Sequence, residues 1–527
     1  MEDDEGGRQM DAGEAVILKA LERQRGTKYV IDRGDSAVQQ FYRGAAVFVT
    51  GGSGFLGKQL IEKLFRSCKL SKVFILMRAK KGKSVEERLV ETLQDPLFDT
   101  LREEQPDFVD RIEPIVGELA EKNLAISEED KKVLIKEVNV IFHVAATISF
   151  QEPLRSATLT NVRGTRDLLA LAKQCKKLKT FVYISTAYSH ATCSRRDTTL
   201  HEQFYPSPIP PELMIRMAET VAEDRLNDIK DGLITDWPNT YSFTKALAEE
   251  LVRSSSGDFP ICVVRPTVVV CARREPYPGW IDLSSVFGPS GITLGCMLGV
   301  IHALHSVQGI RIDFIPVDYV NNTAIAAAAT AGSDVRIYTV GSSKRNHITW
   351  GGLSYILNNV ARRTITSPQA IWYCFVVQWP YRWLHVITSF LLHTIPSHLA
   401  DGLCVMLNKP PRLKKTYATI NKMATTVACY TTNNWIFDDS NTVKLYNSLS
   451  ASDKVIYHND IADVDWTELI VLWCVGLRKY VLKDKLNNTA WGLKKQFYLR
   501  IAHYVISVLF GILLYYCFCK IYLFVFA

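Results

Sequence analysis

Short apolar runs alternate with longer amphipathic stretches through the first two thirds of the chain. The runs are too short for buried helices, and helical spacing of apolar positions fills the segments between them. This alternation is typical of buried parallel strands joined by crossover helices. It predicts strands at residues 45–50, 73–77, 112–116, 140–144, 181–185 and 261–265. We therefore expect an α/β fold with a doubly wound parallel sheet.

The pattern changes at both ends of this region. Residues 1–43 are polar apart from a short helical stretch, so we expect a weakly ordered N-terminal extension. The alternating region covers residues 44–345, and a helical pattern follows over residues 346–490. The sequence therefore predicts a large α/β domain followed by a smaller helical C-terminal domain.

The C-terminal residues 501–527 form a candidate membrane anchor. Residues 501–519 carry no charge, and a transmembrane helix needs roughly 20 predominantly apolar residues. Lys494, Lys495 and Arg500 precede the apolar run, which predicts that the preceding domains face the cytosol. Residues 371–395 are also apolar but contain Gln378 and Pro380, so a patch that faces the membrane or the substrate is favoured there over a spanning helix.

Charge and cysteine content exclude several classes of protein. The net charge of +8 comes from scattered Lys and Arg rather than from a basic run, which does not favour nucleic-acid binding. The twelve cysteines are irregularly spaced, so neither a metal site nor a disulfide framework is predicted. No basic start followed by an apolar run opens the chain, so we expect no secretory signal.

A glycine-rich turn follows the first predicted strand. Thr50 begins the motif T-G-G-S-G-F-L-G, and a helical pattern starts near Phe55. A strand, a glycine turn and a helix start in this order form the dinucleotide-binding element of a Rossmann-type fold. The backbone and helix N-terminus there would bind the pyrophosphate. The predicted cofactor contacts in this motif are Thr50, Gly51, Ser53, Gly54, Phe55, Leu56 and Gly57.

The end of the second strand indicates which dinucleotide binds. An acidic residue at this position favours NAD, whereas basic residues accommodate the 2′-phosphate of NADP. The chain has Arg78, with Lys80 or Lys81 as a second cation, which favours NADPH. Glu118, after the third strand, is a candidate contact to the adenine. Small residues after the fourth strand, Ala145 and Ala146, would let the cofactor approach the backbone.

Tyr241 and Lys245 carry the strongest chemical signal. They are four residues apart in a helical stretch, so both face one bound cofactor. A nearby ammonium lowers the pKa of a phenol, and Tyr241 would then act as the general acid in carbonyl reduction. A hydroxyl at the end of the fifth strand, Thr186 first and Ser185 second, would hydrogen-bond the substrate oxygen. No Cys/His arrangement indicates a covalent nucleophile.

Together these motifs resemble an extended short-chain dehydrogenase, and more narrowly the alcohol-forming fatty acyl-CoA reductases of animals. The similarity rests on the glycine motif, L-M-R-A-K-K-G, Y-I-S-T-A-Y and Y-S-F-T-K, and continues in V-V-R-P-T and D-F-I-P-V-D-Y-V-N-N. It implies NADPH as cofactor, a long-chain acyl-CoA as substrate, release of CoA and reduction of a bound aldehyde to a primary alcohol. It also implies that Pro266 and Thr267 lie at the cofactor. Glu118 departs from the Asp usual in this family.

The resemblance and the anchor together predict a membrane protein. The endoplasmic reticulum is the expected location, with the peroxisomal membrane as the alternative. Residues 280–298 and 371–395 are apolar enough to line an acyl channel. Two other functions stay open at this point: a sterol or sugar-nucleotide dehydrogenase of the same fold, and an inactive membrane scaffold. The sequence does not determine the oligomeric state or the preferred acyl chain length.

Overall fold

The fold is described from a computed structural model, which covers residues 10–80 and 82–526. A seven-stranded sheet forms its centre, in the order β7-β6-β5-β4-β1-β2-β3, and every neighbouring pair of strands is parallel. The strands are β1 (Ala46–Thr50), β2 (Lys72–Met77), β3 (Ile112–Val116), β4 (Val140–His143), β5 (Thr180–Ile184), β6 (Ile261–Pro266) and β7 (Arg336–Val340).

Helices cover the sheet and form most of the C-terminal region. The α-helices are α1 (Ala12–Leu21), α2 (Thr27–Arg33), α3 (Ala37–Tyr42), α4 (Phe55–Ser67), α5 (Val85–Leu93), α6 (Asp99–Glu104), α7 (Glu128–Glu137), α8 (Leu154–Thr158), α9 (Gly164–Ala172), α10 (Pro211–Thr220), α11 (Glu223–Asp228), α12 (Lys230–Ile234), α13 (Thr240–Ser254), α14 (Gly288–Met297), α15 (Val317–Ala329), α16 (Trp350–Ile356), α17 (Arg362–Thr364), α18 (Arg382–Ser389), α19 (Ile395–Met406), α20 (Leu413–Thr432), α21 (Ser440–Ser448), α22 (Ala451–Ile456), α23 (Trp466–Gly476) and α24 (Thr489–Phe526).

The predicted doubly wound fold is confirmed. β1 to β6 match the six predicted strands within one residue at nearly every end. The strand order reverses between β1 and β4, and the crevice at their carboxyl ends is where such sheets bind ligands. The sequence pattern did not predict β7, an edge strand of five residues that pairs, among the described residues, with β6 alone.

Residues 10–43 are structured, which differs from the expected weakly ordered extension. Tyr42 is completely buried, and its hydroxyl donates to the carbonyl of Ile325 on α15 at 3.0 Å. Asp11 accepts a hydrogen bond from the backbone N–H of Thr489 at 2.8 Å, where α24 begins. The segment therefore gains its order from long-range contacts, which its polar local pattern does not reveal.

Short strand pairs join the C-terminal region to the α/β domain. Residues 199–200 pair with residues 436–437, and residues 303–305 pair with residues 377–379, both in parallel. The second pair brings the apolar stretch 371–395 against the segment that follows α14. Helix α24 is long and apolar enough to cross a membrane. Its most apolar stretch is not buried against the rest of the protein.

Candidate active site

The glycine turn between β1 and α4 leaves no room for side chains at two positions. Gly51 has φ +77°, and a Cβ there would lie 2.8 Å from the Cα of Ala145. A Cβ on Gly57 would lie 2.2 Å from the carbonyl oxygen of Gly51. Gly54 is the N-cap of α4 and offers no side chain to its first N–H groups. This geometry fits a pyrophosphate bound by backbone N–H groups at a helix N-terminus.

The other predicted residues of the turn differ in their surroundings. Ser53 is half-buried on the turn. Phe55 is buried and stacks on Trp280 with ring centroids 5.2 Å apart, and the carbonyl of Leu56 accepts a hydrogen bond from Asn321 at 2.9 Å. Phe55 and Leu56 therefore hold the turn against the sheet and α15.

A buried chain of hydrogen bonds fixes the ends of β1 and β4 beneath the turn. The Thr165 hydroxyl donates to the carbonyl of Asn161 at 2.7 Å, so it accepts from Nε2 of His143 at 2.9 Å. Nδ1 of His143 then accepts from the Thr50 hydroxyl at 2.8 Å, and the N–H of Ala145 donates to Thr50 at 3.3 Å. Burial lowers the pKa of His143 to about 3, which keeps the ring neutral. The network therefore has one consistent direction.

The two residues predicted to contact the adenosine part of the cofactor form an ion pair. Arg78, whose side chain is about half exposed after β2, contacts the carboxylate of Glu118 after β3. Arg88, on α5, donates to the carbonyl of Arg78 and adds a guanidinium that the sequence analysis missed. Lys80 is exposed and lies in a tight turn closed by hydrogen bonds with Lys83. Lys81 lies outside the described residues.

Tyr241 and Thr186 meet at the carboxyl edge of the sheet. Tyr241 is in the first turn of α13, whose N-cap Asn239 accepts from the N–H of Ser242 at 2.9 Å. Burial raises the pKa of Tyr241 to about 12, and a hydrogen bond with the Thr186 hydroxyl opposes this rise. The expected lowering of the Tyr241 pKa by Lys245 is therefore not seen, because burial dominates the pKa and the Lys245 amine donates to the carbonyl of Ile184.

Lys245 is buried one helical turn after Tyr241. Its Nζ donates to the carbonyl of Ile184 at 2.8 Å and lies 4.7 Å from the centre of the Tyr183 ring. Burial lowers the pKa of Lys245 to about 7, with the nearby Glu249 carboxylate opposing the change. The lysine is thus attached to the end of β5, beside the predicted hydroxyl.

Ser185 faces away from Thr186 into a buried charged network. Its hydroxyl donates to the carboxylate of Glu249, as does that of Ser189. Arg265 forms a bidentate pair with the same carboxylate, at 2.9 and 2.6 Å. Burial alone would raise the pKa of Glu249, but Arg265 and His190 hold it well below its usual range. The Ser185 hydroxyl therefore has a structural partner, and Thr186 is the better-placed hydroxyl to contact a substrate oxygen.

The remaining predicted residues border the same crevice. Ala145 lies against Gly51, and Ala146 is half-buried beside it. The carbonyl of Pro266 is 3.5 Å from the Thr186 hydroxyl, which donates towards it. Thr267 donates its hydroxyl to the carbonyl of Val340 at 3.2 Å and so links β6 to β7.

Comparisons with known proteins agree with this geometry. An NAD-binding family model described as male sterility protein matches residues 49–324, and a second model with the same description matches residues 392–484. Fatty acyl-CoA reductase 1 of Homo sapiens is 36% identical over 495 residues, covering 91% of this chain and 92% of that protein. Fatty acyl-CoA reductase wat of Drosophila melanogaster is 33% identical over 485 residues, covering 90% and 92%.

The chain belongs to the fatty acyl-CoA reductase family. It is therefore an oxidoreductase with a nicotinamide-dinucleotide domain, as the motifs predicted. The fold also matches two solved reductase domains. The terminal R domain of the myxalamid biosynthetic pathway has a TM-score of 0.57 at 18% identity and covers 83% of this chain and 91% of that chain. The R domain of a non-ribosomal peptide synthetase from Mycobacterium tuberculosis has a TM-score of 0.54 at 19% identity and covers 86% and 97%.

In this reductase the C-terminal region reaches the surroundings of Tyr241, the predicted catalytic residue, and the sequence patterns did not predict this contact. Tyr430, near the end of α20, accepts a hydrogen bond from the Asn239 amide at 2.7 Å. Phe150 lies between the two tyrosines, with ring centroids 5.7 Å from Tyr430 and 6.1 Å from Tyr241. Tyr188 packs edge-on against Tyr430 at 5.2 Å. Because these aromatic residues are far apart in the sequence, no local pattern predicts that they form a cluster.

Two small apolar cavities lie between α14 and residues 371–395, and the larger of them also borders α20. The larger cavity, the one with more lining residues, includes Ile292, His385 and Met423 in its lining. The lining of the other includes Met297 and Phe375. The two stretches expected to line an acyl channel thus meet at both cavities. The larger cavity extends along α20 to Thr431, which adjoins Tyr430.

Proposed function

We propose that this protein reduces long-chain fatty acyl-CoA to primary fatty alcohol with NADPH, releasing CoA and passing through a bound aldehyde. The observation that carries the proposal is the meeting of Tyr241, Thr186 and Lys245 beside the glycine turn. An apolar cavity borders α20, and Tyr430 of the same helix contacts the N-cap of the Tyr241 helix. The relatives are named fatty acyl-CoA reductases, and this chain matches 92% of their length. This similarity supports the same substrate class.

The glycine turn and the ends of β2, β4 and β6 would hold the cofactor. Gly51, Gly54 and Gly57 would take the pyrophosphate, and Ala145 and Pro266 would border the nicotinamide side. NADPH supplies hydride to the substrate carbonyl when it is bound. Arg78, Lys80 and Arg88 outnumber Glu118 at the adenosine end, and this excess of positive charge favours a 2′-phosphate.

Tyr241 and Thr186 would act on the substrate oxygen. The pKa of Tyr241, about 12, keeps its phenol protonated at neutral pH, so it can donate its proton to the developing alkoxide. The Thr186 hydroxyl would hydrogen-bond the same oxygen and stabilise its charge. Lys245 would hold the ribose hydroxyls of the cofactor. The acyl group would stay on the sulfur of CoA until the first reduction, so no cysteine nucleophile is needed.

The apolar cavities favour this reading over the two alternatives. A sugar nucleotide needs many polar groups for its hydroxyls, whereas most side chains that line the larger cavity are apolar, with Ser306, Asn421, Thr431 and three histidines as the polar ones. An inactive scaffold would have no reason to keep Tyr241, Lys245 and Thr186 together. We further propose that α24 anchors the protein in the endoplasmic reticulum, with the catalytic domain in the cytosol. The peroxisomal membrane is the alternative location.

The test is turnover of an acyl-CoA series by the detergent-solubilised full chain. Long-chain acyl-CoA with NADPH should give fatty alcohol and free CoA, measured by lipid mass spectrometry and thiol titration. The Tyr241→Phe variant is the inactive control. Turnover of sterols or sugar nucleotides, with no aldehyde or alcohol from any acyl-CoA, would overturn the proposal.

The same assay tests the cofactor. The ratio of kcat/KM with NADPH to that with NADH should be large, and Arg78→Asp should reverse or flatten it. Charge-assisted hydrogen bonds contribute about 1.5–3 kcal/mol, so a change of at least tenfold is expected. Lys83→Ala is the matched control, because Lys83 lies nearby but pairs with Glu91 at 2.8 Å. Equal use of both cofactors by the unmodified protein would contradict the NADPH assignment.

A further inference from the structure

A nearly continuous helix from α18 to α19 presents its apolar side to the outside. A π-helical turn, Phe390–Thr394, joins the two helices. The polar residues Ser389, His393, Ser397 and Asp401, four residues apart, are buried against the protein. This arrangement inverts the usual surface helix, whose polar side faces water. The exposed large apolar side chains are Trp383, Val386, Ile387, Phe390, Leu391, Leu399, Leu403, Val405, Met406 and Leu407.

The buried polar side is fixed by specific hydrogen bonds. Nε2 of His393 accepts from the backbone N–H of His302 at 2.9 Å. The Asp401 carboxylate accepts from the backbone N–H groups of Arg412, Leu413 and Lys414 at 2.9–3.0 Å, at the start of α20. Turning the apolar side inwards would break all of these bonds. The helix is therefore held with its apolar side outwards.

The residues beside this apolar side are positively charged. Between Asp334 and Asp438 the chain contains one acidic residue, Asp401. Its carboxylate accepts hydrogen bonds from backbone N–H groups at the start of α20. The segment after α19 carries exposed Lys409, Arg412, Lys414 and Lys415. A large apolar face bordered by basic residues matches the surface of an anionic membrane, with its apolar interior and negative headgroups.

The helix that carries this apolar side lies close to the start of the exposed part of α24, and the contacts between them run through its buried side. His393 contacts His302, with ring centroids 6.0 Å apart. His302 stacks on Phe375 at 4.5 Å, and Phe375 contacts His503 of α24 at 4.9 Å. The large apolar residues of α24 from Ile501 onward are exposed. A bilayer that receives α24 at this point therefore adjoins α18 and α19.

We propose that α18, α19 and the segment up to Lys415 form a second membrane contact. The exposed apolar side lies within the interfacial layer of the bilayer that α24 enters, and Lys409, Arg412, Lys414 and Lys415 bind anionic headgroups. The same helix contributes His385 and His393 to the larger cavity, so the cavity adjoins the bilayer. If the proposed function holds, the acyl substrate reaches the site from the membrane along this path.

Photocrosslinking of the full chain in lipid vesicles tests this contact. A benzophenone amino acid replaces Leu403 or Met406, one at a time, in protein reconstituted into phosphatidylcholine vesicles with and without phosphatidylserine. Irradiation should give covalent lipid adducts at both positions, detected by mass spectrometry of the digested protein. Val90 and Tyr29 are the matched controls, because both are exposed apolar residues outside the proposed contact. Their adduct yield should be at least about tenfold lower.

The yield at position 403 should also fall when phosphatidylserine is omitted, and Lys414→Glu with Lys415→Glu should remove this lipid dependence. Lipid adducts no more frequent at 403 and 406 than at 29 and 90 would overturn the proposal. Crosslinks to a second copy of the chain would overturn it too, since they would identify a protein interface. These results do not depend on turnover, so failure of the contact and failure of the proposed reaction are distinguishable.

Discussion

At the scale of single residues, burial has a larger effect than charge pairing on the pKa values of Tyr241 and Lys245. Burial raises the pKa of Tyr241 and lowers that of Lys245 to about 7. At neutral pH the phenol is therefore a proton donor, and the amine lies close to its midpoint of protonation. The Glu249 carboxylate nearby favours the ammonium form, because an opposite charge stabilises it.

Tyr241→Phe should abolish alcohol formation while the protein stays folded. The ring and its packing on Phe150 remain, but no proton can be donated to the alkoxide, which is worth about 10²- to 10⁴-fold in rate. NADPH binding, measured by fluorescence titration, should be almost unchanged. Lys245→Ala should weaken that binding as well as turnover, and Thr186→Ala should fall between the two in rate.

Tyr457→Phe is the matched control for the tyrosine variant. Tyr457 is fully buried, and its hydroxyl contacts the thiol of Cys68 at 3.2 Å, outside the proposed site. It should retain near-normal turnover. Near-normal alcohol formation by a folded Tyr241→Phe protein would instead exclude the general-acid role.

At the scale of secondary-structure elements, the glycine turn shows how backbone contact replaces side-chain packing. α4 approaches the turn so closely that only hydrogen fits at Gly57, and this closeness brings the helix N-terminus to the end of β1. The ion pair between Arg78 and Glu118 likewise holds two elements together, at the ends of β2 and β3. Each feature depends on a contact between two elements, whereas a local sequence pattern describes only one element.

Gly57→Ala should separate α4 from the turn and weaken both folding and cofactor binding. Its Cβ would meet the carbonyl of Gly51 at 2.2 Å, and the required backbone shift is of the kind that costs about 1–3 kcal/mol. Thermal unfolding and NADPH titration measure the two effects. Gly232→Ala in α12 is the control, because nothing lies within 4 Å of its Cβ position. Equal melting temperatures for the two variants would contradict this role of Gly57.

At the scale of the whole molecule, the C-terminal region borders the candidate site and carries the candidate membrane helix. Tyr430 contacts Asn239, two residues before Tyr241, and α20 also lines the larger cavity. The first residues of α24 pack on the protein, as the contact between Gln496 and the N–H of Cys374 at 2.9 Å shows. The large apolar residues from Ile501 onward are exposed. The start of the candidate membrane helix and the candidate active site are thus parts of one packed structure.

Deleting residues 501–527 should convert the protein from an integral to a peripheral membrane protein. The deletion leaves the packed start of α24 in place, so the fold should persist. Membrane association should become extractable by carbonate, while some salt-sensitive binding through α18 and α19 remains. Carbonate extraction and immunoblotting of membrane fractions measure this. Retention of the truncated protein after carbonate treatment would move the anchor to residues 371–395.

The sequence by itself determined the six strands, the glycine turn, the Tyr241 and Lys245 pair and the apolar tail. Each of these depends on residue spacing within a short stretch, and such spacing specifies local structure directly. Only the tertiary structure decided that Ser185 binds Glu249 and that Tyr430 reaches the catalytic helix. It also ordered residues 10–43 and turned the apolar side of α18 and α19 outwards. These features are contacts between distant segments, and packing, rather than local pattern, selects them.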